Sequence, residues 1–508
     1  MGDTAVRVAA VQFATGTDVD ENLATHVRMV GAAADEGARL VVTPEFGNHL
    51  SVYESSDHAW DVAVELDGPY VAALAALAGE RGVWLAASAT VRRDPASRRL
   101  TVANLLFGPD GTLVAEADKT VLMGAEADHL SPGDVPKRPV ATPLGPLGLY
   151  CCMEGVIHEP ARTLAVGGAR ILCNSLNSFA LDEASLHVPA RAAENGCFVV
   201  AANKVGPLAP PARLAALATA LRIDPTQLHG AGESQVVSPD GMVLAIGPRT
   251  GEAVVLADID PATAPGPRPH RRPELYGGLA AAPTGRDGHP AADDLVASLD
   301  LAAPGAGLVV LAEGTPLPTD VPPGQVVVGS VRDGDRLVGI VVGAGGEALL
   351  RQPQLHRADR LGWATVLGDG LRTLDLPWGR LAVLVGDDHH HPEAVRLAAL
   401  ASADVVAVVT GDLEPWERTV GFASRAAENR VNVVVGATDG GLLVELPTDF
   451  TLWTPWDRPF DGRINDPTVH AGPTAVLHPS AAANRLVSKG TDVVDGRPWR
   501  LLDALVEA

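Results

Sequence analysis

The 508-residue sequence has only four cysteines, and they all lie between Cys151 and Cys197. No two of them have CxxC spacing, and a disulfide scaffold would spread its cysteines along the chain. We therefore expect free thiols in a reducing compartment. The sequence also lacks positive charge, since 39 Lys and Arg face 62 Asp and Glu, for a formal net charge of −23. This balance argues against nucleic acid and anionic membrane as partners.

Long apolar runs are also missing. No stretch approaches the roughly 20 apolar residues of a membrane span. The first residues enter a strand pattern without the basic region or cleavage site of a signal peptide, so we expect a cytoplasmic protein without a membrane partner. Hydrophobic residues make up 46% and charged residues 20% of the sequence, which is typical of a globular chain with ample core. The length alone predicts about two to four domains.

Strand and helix patterns alternate in the N-terminal half. Residues 5–12 form an apolar strand pattern, and residues 20–38 have helical spacing with Gly37 near the end. A second strand, a second helix and a third strand follow before residue 91. This alternation predicts an α/β fold, in which functional groups gather beyond the ends of the strands.

One stretch, GLYCCMEG at residues 148–155, is the centre of the functional interpretation. An apolar strand ends there at Cys151, Cys152 and Glu154, and a helical pattern and another strand follow. A sharp strand-to-helix turn lifts a side chain off the end of a sheet, where a nucleophile is useful. Because free cysteine is usually a core residue, this pattern alone leaves open that both cysteines are simply buried.

Three charged residues each follow a predicted strand: Glu45, Lys119 and Glu126. Taken singly, each is an ordinary surface charge. Together with Cys152 they form a chemical set. A thiol is mostly protonated near neutral pH and needs a base, which a carboxylate can be. A lysine can stabilise an oxyanion, and a second carboxylate can hold that lysine and assist proton transfer to a leaving amine.

Residues 5 to about 280 resemble the nitrilase, or carbon–nitrogen hydrolase, superfamily. The blocks that carry the resemblance occur in the family's order: VRVAAVQF, LVVTPEF, DKTVL, EADHLSPGD, LYCCMEGVIHEPARTLAVGGARIL and RAAENGCFVVAANKVG. In the family pattern, the nucleophile precedes an acid by two residues and an arginine by ten. Glu154 and Arg162 therefore select Cys152 over Cys151.

The resemblance implies a four-layer α-β-β-α sandwich and assigns roles to the motif residues. Cys152 is then the nucleophile, Glu45 the general base and Lys119 the oxyanion donor. Glu126 is the fourth member, and the backbone N–H of Met153 is the second oxyanion donor and so contacts the substrate. The implied reaction passes through a thioester on cysteine and needs no metal or organic cofactor.

The sequence also departs from the family. Met153 stands where many members have an aromatic residue, which favours an amidase over a nitrilase. Residues 207–230 form an insert whose middle is helical by pattern, and this is either a surface elaboration or a lid or pocket wall. Asn177 and His187 are weaker candidates for the substrate pocket.

The chain then repeats itself after a linker at residues 281–297, which are rich in Ala, Pro, Gly and Asp. The motif RAAEN occurs twice, and the same offset of 234 residues relates Arg191 to Arg425 and Arg162 to Arg396. We therefore predict two nitrilase-like domains in tandem, a catalytic one at residues 1–280 and a degenerate one at residues 298–508.

The second domain is expected to be non-catalytic. Gly386 stands at the position of Cys152, and Asp388 at that of Glu154. Glu313 keeps the first glutamate, but no lysine follows, and His356 lies near the expected position. We predict that the two domains pair as an internal pseudo-dimer in which the second stabilises the first and shapes its pocket. Further homo-oligomerisation is left open.

The histidine triplet at residues 389–391 suggests a metal site only superficially. Consecutive residues cannot all face one ion on regular structure, and no flanking ligand spacing supports the idea, so no metal is predicted. The favoured function is hydrolysis of a small, linear, non-peptide amide or carbamoyl compound. The alternatives are a nitrilase, a thioester-dependent N-acyltransferase and a non-catalytic binding or scaffold protein.

Overall fold

The computed structural model describes residues 5–448, 450 and 459–507, which form two compact units. The first unit contains residues up to 267 together with residues 459–464 and 487–491. The remaining described residues form the second unit. The chain is mixed α/β, as the alternating patterns predict. The predicted boundary at residue 280 and the predicted linker differ from this division, because residues 268–297 all belong to the second unit and a strand begins at Leu295.

The first unit contains eleven strands among its described residues. They are β1 Val6–Gln12, β2 Leu40–Val42, β3 Trp84–Asp94, β4 Arg99–Phe107, β5 Leu113–Asp118, β6 Leu147–Cys151, β7 Ile171–Ser175, β8 Phe198–Ala202, β9 Gln235–Val237, β10 Val243–Ile246 and β11 Ala253–Ile259. Its α-helices are α1 Val19–Asp35, α2 Ser56–Val62, α3 Pro69–Arg81, α4 Met153–Val156, α5 Glu159–Val166, α6 Val188–Asn195 and α7 Pro211–Leu221.

These strands form two sheets, with the orders β11-β1-β2-β3-β4-β5 and β10-β9-β8-β7-β6. Strands β1, β2 and β3 are parallel to one another, as are β6, β7 and β8. The carboxyl ends of parallel strands meet at one edge of a sheet, where functional groups gather. Glu45 follows the end of β2, and Cys152 follows the end of β6.

Alternate residues of the strands pack on opposite faces, as strand geometry requires. In β1, Val8 and Ala10 face the second sheet and share a core with Leu147 and Ile171. The intervening residues of β1 pack with α1 and α3, and the outer face of the second sheet packs with α5 and α6. The first unit is therefore the predicted four-layer α-β-β-α sandwich.

The second unit contains a further twelve strands among its described residues. They are β12 Leu295–Ser298, β13 Leu308–Val310, β14 Val326–Asp333, β15 Arg336–Val342, β16 Ala348–Pro353, β17 Thr373–Leu376, β18 Gly379–Val385, β19 Val405–Val409, β20 Asn432–Gly436, β21 Leu442–Glu445, β22 Thr468–His470 and β23 Thr474–Leu477. Its α-helices are α8 Pro392–Leu400, α9 Phe422–Asn429 and α10 Asp503–Val506. Two short strands near the C-terminus, β24 Leu486–Ser488 and β25 Thr491–Asp492, pair with each other.

The strands of the second unit also form two sheets. Their orders are β16-β15-β14-β13-β12-β23 and β17-β18-β19-β20-β21-β22. An apolar core containing Val310, Val328, Val383 and Val405 joins the two sheets. Residues 299–307, between β12 and β13, contain no helix, whereas the long helix α1 lies between β1 and β2.

The sequence also predicts free cysteines and no membrane span. All four cysteines are free, and all are buried. Among the described residues, no helix combines the length and the apolar character needed to cross a membrane.

Two helix C-caps offer a matched test of packing. Gly82 ends α3 at φ 62° and Gly196 ends α6 at φ 57°, so alanine is strained at both positions by about 1–2 kcal/mol. A Cβ at Gly82 meets nothing within 4 Å, whereas one at Gly196 would lie 2.3 Å from the carbonyl oxygen of Gly266. We expect Gly196→Ala to lower the free energy of unfolding by about 1–3 kcal/mol more than Gly82→Ala, because the backbone must also shift.

Thermal and urea unfolding of the two variants measure this difference. Equal losses of stability would contradict the close backbone contact at Gly196.

Candidate active site

Cys152 lies at a strained turn between β6 and α4. Its backbone angles are φ 43° and ψ −108°, a conformation that a non-glycine residue rarely adopts. The backbone N–H of Cys152 holds the turn by donating to the carbonyl oxygen of Ser175 at 3.0 Å and to Oδ1 of Asn174 at 3.1 Å. Met153 begins α4, and a first-turn N–H has no partner within its own helix. A thiol and a backbone donor are thus adjacent at the end of the sheet.

The two adjacent cysteines have different surroundings. Cys151 is fully buried in an apolar cluster with Phe46, Leu100 and Val102. Cys152 is 7% exposed and lines a cavity. The opposite orientations follow from strand alternation, and they agree with the register that Glu154 selects.

The Glu154 carboxylate connects the turn to the segment after β5. It accepts hydrogen bonds from the N–H of Cys151 at 2.8 Å, the N–H of Thr120 at 2.8 Å and the hydroxyl of Thr120 at 2.6 Å. The ammonium of Lys137 lies 3.0 Å from its second oxygen. Because Thr120 directly follows Lys119, one buried carboxylate positions both the cysteine turn and the lysine.

Lys119 lies between the two predicted carboxylates. Its Nζ is 2.8 Å from Oε1 of Glu45 and 2.9 and 2.8 Å from the two oxygens of Glu126. The Lys119 and Glu45 side chains are fully buried, and that of Glu126 is 9% exposed. The N–H of Met123 also donates to Oε2 of Glu126, at 2.9 Å. The structure therefore brings Glu45 to Lys119 and Glu126, which are seven residues apart, and Cys152 is near enough to interact with the charges of Lys119 and Glu45.

Burial and charge set the protonation of this group. Burial lowers the pKa of Lys119, but Glu126 and Glu45 outweigh it and hold that pKa well above its usual value. Burial raises the pKa of Glu45 to about 7, against the opposing effect of Lys119. Burial, followed by the charge of Glu45, raises the pKa of the Cys152 thiol well above its usual value. The resting site therefore holds a neutral thiol, an ammonium and a carboxyl group that titrates near neutral pH.

The sequence reasoning missed Lys204, which follows β8. Its ammonium is fully buried and donates to the carbonyl oxygen of Phe46 at 3.2 Å. The ammonium groups of Lys204 and Lys119 lie 5.8 and 5.9 Å from the centroid of the Phe46 ring. Burial lowers the pKa of Lys204 to about 7, although the charges of Glu45 and Cys152 oppose this. The composition did contain an indication that each lysine is important, because only four of the 39 basic residues are lysines.

Glu183 was also missed. It is buried and begins a π-helical turn at Glu183–His187, a rare element that is frequent at functional sites. Burial and the neighbouring Asp182 raise its pKa well above the usual value, and its charge is felt at Cys152. His187, a weak candidate from the sequence, lies 3.6 Å from Asp182 and is not among the described residues that line the cavity.

A cavity of about 240 Å³ opens at Cys152, and we call it the Cys152 cavity. Six of the residues that line it come from the predicted insert: Leu208, Ala209, Leu217, Ala220, Leu221 and Leu228. The insert is therefore a pocket wall, and its predicted helix is α7. Asn177 also lines the cavity. The side chain of Met153 does not belong to the described lining, so its predicted role in substrate binding depends on its backbone N–H.

The sequence predicts four counterparts of the site residues in the second unit: Asp388, Gly386, Glu313 and His356. The first three have the following contacts. The carboxylate of Asp388 accepts from the N–H of Val385 at 3.3 Å and of Leu355 at 2.9 Å. Gly386 has φ 63° and donates its N–H to the carbonyl oxygen of Val409 at 3.0 Å. The Glu313 oxygens lie 2.9 and 2.8 Å from the guanidinium of Arg360.

The fourth predicted counterpart, His356, was expected only to lie near the position that corresponds to Lys119. The N–H of Gln354 donates to the carbonyl oxygen of Leu337, as the N–H of Lys119 donates to that of Val102. Gln354 thus directly follows β16 as Lys119 directly follows β5, and His356 lies two residues further on. His356 instead contacts Asp388 at 3.1 Å and the hydroxyl of Tyr276 at 2.7 Å. Counting along the sequence does not reveal such small shifts in strand and turn length.

One described cluster could hold a metal ion. The Nε2 atoms of His389 and His390 lie 3.0 and 3.1 Å from Oε1 of Glu417, and all three atoms lie within 4.8 Å of one another. Two consecutive histidines converge because they lie on a 3₁₀ turn, which the argument from regular structure did not consider. His391 points elsewhere and stacks on His356 with 4.1 Å between ring centroids. The contacts are equally those of a buried ion pair, and the absence of a metal stays a prediction.

The part of the chain that carries this site matches a known protein family. Residues 7–265, just over half of the chain, match the carbon-nitrogen hydrolase family. The chain belongs to the carbon–nitrogen hydrolase family.

Several curated relatives of this carbon–nitrogen hydrolase share its first half. The bifunctional nitrilase/nitrile hydratase NIT4A of Lupinus angustifolius is 30% identical over 278 residues, which cover 50% of this chain and 78% of the relative. A nitrilase of Pyrococcus abyssi is 27% identical over 257 residues, covering 50% and 90%. The deaminated glutathione amidase of Mus musculus is 28% identical over 294 residues, covering 54% and 85%.

Solved structures similar to this carbon–nitrogen hydrolase include Nit3 of Saccharomyces cerevisiae. It is 24% identical with a TM-score of 0.43, covering 51% of this chain and 92% of that one. An amidase from Nesterenkonia sp. AN1 is 24% identical with a TM-score of 0.41, covering 50% and 93%.

The protonation states predict how the reactivity of Cys152 depends on pH. Below pH 7 both Glu45 and the thiol are protonated, so iodoacetamide should alkylate Cys152 slowly. As Glu45 loses its proton near pH 7 it can accept the thiol proton, and the rate should rise with a midpoint near 7. We expect Glu45→Gln to lower the rate at pH 7.5 at least tenfold.

Mass spectrometry of the Cys152 peptide measures the rate, and Cys152→Ala is the blank. A midpoint that does not move in Glu45→Gln would exclude Glu45 as the base.

Proposed function

We propose that this carbon–nitrogen hydrolase cleaves a small, linear, non-peptide amide or carbamoyl compound through a thioester on Cys152. The observation that carries the proposal is the buried Lys119, which lies between Glu45 and Glu126 close to a cysteine that opens into a cavity. Burying three charged groups is energetically costly. Such arrangements are common where pKa values must be adjusted for catalysis, and a scaffold protein does not require them.

The residues divide the chemistry between them. Glu45 takes the proton of the Cys152 thiol as sulfur attacks the carbonyl carbon. The negative oxygen that forms is stabilised by the Lys119 ammonium and the N–H of Met153. When the intermediate collapses, the C–N bond breaks, and Glu45 returns its proton to the departing amine. A water that Glu45 deprotonates then hydrolyses the thioester, releasing the carboxylic acid and restoring the thiol.

Glu126 acts through Lys119. Its two oxygens lie 2.9 and 2.8 Å from Nζ, so it holds the ammonium in place and keeps it charged. Lys204 adds positive charge near Glu45 and favours the ionised form of that carboxyl group.

A nitrile is the second candidate substrate, since relatives of similar identity are named as nitrilases. Attack by the same sulfur on a nitrile carbon gives a thioimidate, and addition of water followed by loss of ammonia leads to the same thioester. We favour the amide because Met153 replaces the aromatic residue common in nitrilases. If an amine rather than water takes the thioester, the enzyme is an N-acyltransferase.

We further propose that the second unit is a degenerate copy of the first. The sheet orders support this, because β23 and β12–β16 are arranged as β11 and β1–β5 are, and β18–β22 follow the arrangement of β6–β10. The Asp388 carboxylate accepts the N–H of the residue before Gly386, as the Glu154 carboxylate accepts the N–H of the residue before Cys152. Gly386 carries no thiol and Gln354 no charge, so this unit lacks the chemistry proposed for the first. The pseudo-dimeric pairing and the cytoplasmic location stay predictions.

A panel of short amides and nitriles tests both proposals. We expect wild-type protein to release ammonia and the matching carboxylate, and Cys152→Ala to lose at least about 10³-fold in kcat/KM, because the nucleophile is removed. Since the second unit contains no cysteine, no thiol-dependent activity should remain from it.

The matched control is Cys151→Ala, which changes the adjacent thiol but should keep activity within about tenfold. Turnover that survives in Cys152→Ala would contradict the assignment. Product that forms only when an amine acceptor is added would indicate acyl transfer instead of hydrolysis.

A further inference from the structure

The wall of the Cys152 cavity is apolar on the side formed by the insert. Leu208, Leu217, Leu221 and Leu228 line it, and Phe179 adds an aromatic ring. The volume of about 240 Å³ is below the roughly 300–1,000 Å³ of pockets for drug-sized ligands. The cavity therefore accommodates a compact group, and apolar atoms gain most from entering it.

Charge is scarce in the same cavity. Among the described residues that line it, Glu126 has the one charged side chain, and both of its oxygens already contact Lys119. Burying a substrate carboxylate there would leave it without a positive partner and beside a negative one, which is strongly unfavourable.

Apart from Glu126, the polar side chains of the described lining are neutral. Asn177 donates from Nδ2 to the hydroxyl of Ser51 at 3.1 Å, and its Oδ1 is buried without a hydrogen-bond partner among the described residues. An unused carbonyl oxygen beside a nucleophile can accept an N–H from the amide group of a substrate. A buried acceptor of this kind suits an uncharged amide rather than an anion.

We propose that the substrate is an amide whose acyl group is compact, uncharged and apolar, and that α7 with its flanking residues selects it. This inference depends on the proposed function and names the substrate class of the same site. Each methylene that enters the cavity should tighten binding about fourfold until the cavity is full. A terminal carboxylate on the same acyl chain should abolish the gain.

Binding to Cys152→Ala protein separates this inference from the chemistry. Isothermal titration calorimetry would compare hexanamide with adipic acid monoamide, which has a similar chain ending in a carboxylate. We expect hexanamide to bind at least about 30-fold more tightly, and wild-type protein to hydrolyse it with a correspondingly higher kcat/KM.

A charge placed on the wall should invert the preference. In Leu217→Lys an ammonium enters the lining, so the affinity for adipic acid monoamide should rise at least tenfold and that for hexanamide should fall. Ala216→Lys is the matched control, because Ala216 is exposed on the same helix and does not belong to the described lining. It should leave both affinities within about twofold.

The two proposals fail in different ways. Equal affinities for the two amides, or no binding of either, overturn the substrate class even where Cys152-dependent turnover occurs. A preference for hexanamide in binding without turnover of any amide or nitrile overturns the proposed function instead.

A different observation concerns residues 487–491, which belong to the first unit although they lie far along the sequence. The hydroxyl of Thr491 accepts the N–H of Gly124 at 2.9 Å and donates to the carbonyl oxygen of Leu122 at 3.0 Å. Lys489 lies 2.9 Å from Asp128. The Thr491 contacts hold the start of the 3₁₀ turn Gly124–Asp128, which carries Glu126, whereas the Lys489 pair at the other end of the turn is exposed.

We infer that Thr491 is a positioning residue for Glu126. Without its hydroxyl the turn loses a donor and an acceptor at one end, and Glu126 should move away from Lys119. The negative charge of Glu126 raises the pKa of Glu45, so its withdrawal should lower that pKa. A role confined to stability would not move the pKa of a distant carboxyl group.

The full-length variants Thr491→Val and Thr491→Ser test this inference. In Thr491→Val we expect kcat to fall about tenfold and the pH midpoint of Cys152 alkylation to move below that of wild type, in the same direction as in Glu126→Gln. Thr491→Ser keeps the hydroxyl and should restore both values. Lys489→Ala is the control, because an exposed ion pair contributes little.

An unchanged midpoint in Thr491→Val, or equal losses in Thr491→Val and Thr491→Ser, would overturn the positioning role.

Discussion

The structure of the site depends on one constraint, which is that a fully buried ammonium must be neutralised where it lies. Lys119 meets it with two carboxylates from different parts of the chain, Glu45 after β2 and Glu126 in a 3₁₀ turn. Removing one partner from a buried ion pair typically costs about 3–5 kcal/mol. The three segments are therefore tied together more firmly than apolar packing alone would require, and the pKa values that suit the chemistry follow from the same burial.

The lysines show how selectively this chain uses positive charge. Only four occur among 39 basic residues, and three of them, Lys119, Lys137 and Lys204, are buried in or next to the site. Lysine carries a compact charge whose pKa shifts readily on burial, whereas arginine remains charged and forms planar forks. The second unit pairs Glu313 with Arg360. In the degenerate copy that we propose, this pairing satisfies the carboxylate of Glu313 without offering a point charge to an oxyanion.

The sequence predicted the alternating fold, the four-layer sandwich and the set of Cys152, Glu45, Lys119 and Glu126, because each depends on local pattern or on a motif of fixed spacing. Its choice of Cys152 over Cys151 agrees with the cavity lining. It missed Lys204, which lies in the block RAAENGCFVVAANKVG, because only the folded structure shows that its ammonium is buried near Glu45. It placed His356 near the position that corresponds to Lys119, whereas Gln354 makes the matching backbone hydrogen bond, because a shift of two residues between strands is invisible without the hydrogen bonds.

By itself, then, the sequence determined the order of strands and helices, the register of the cysteine turn and the kind of chemistry it can perform. These are properties of neighbouring residues, and periodicity and spacing encode them. Only the tertiary structure decided that the insert faces the cavity and that residues 487–491 complete the first unit. Such contacts join residues tens to hundreds of positions apart, and they form because packing and buried hydrogen bonds require partners that no local pattern can specify.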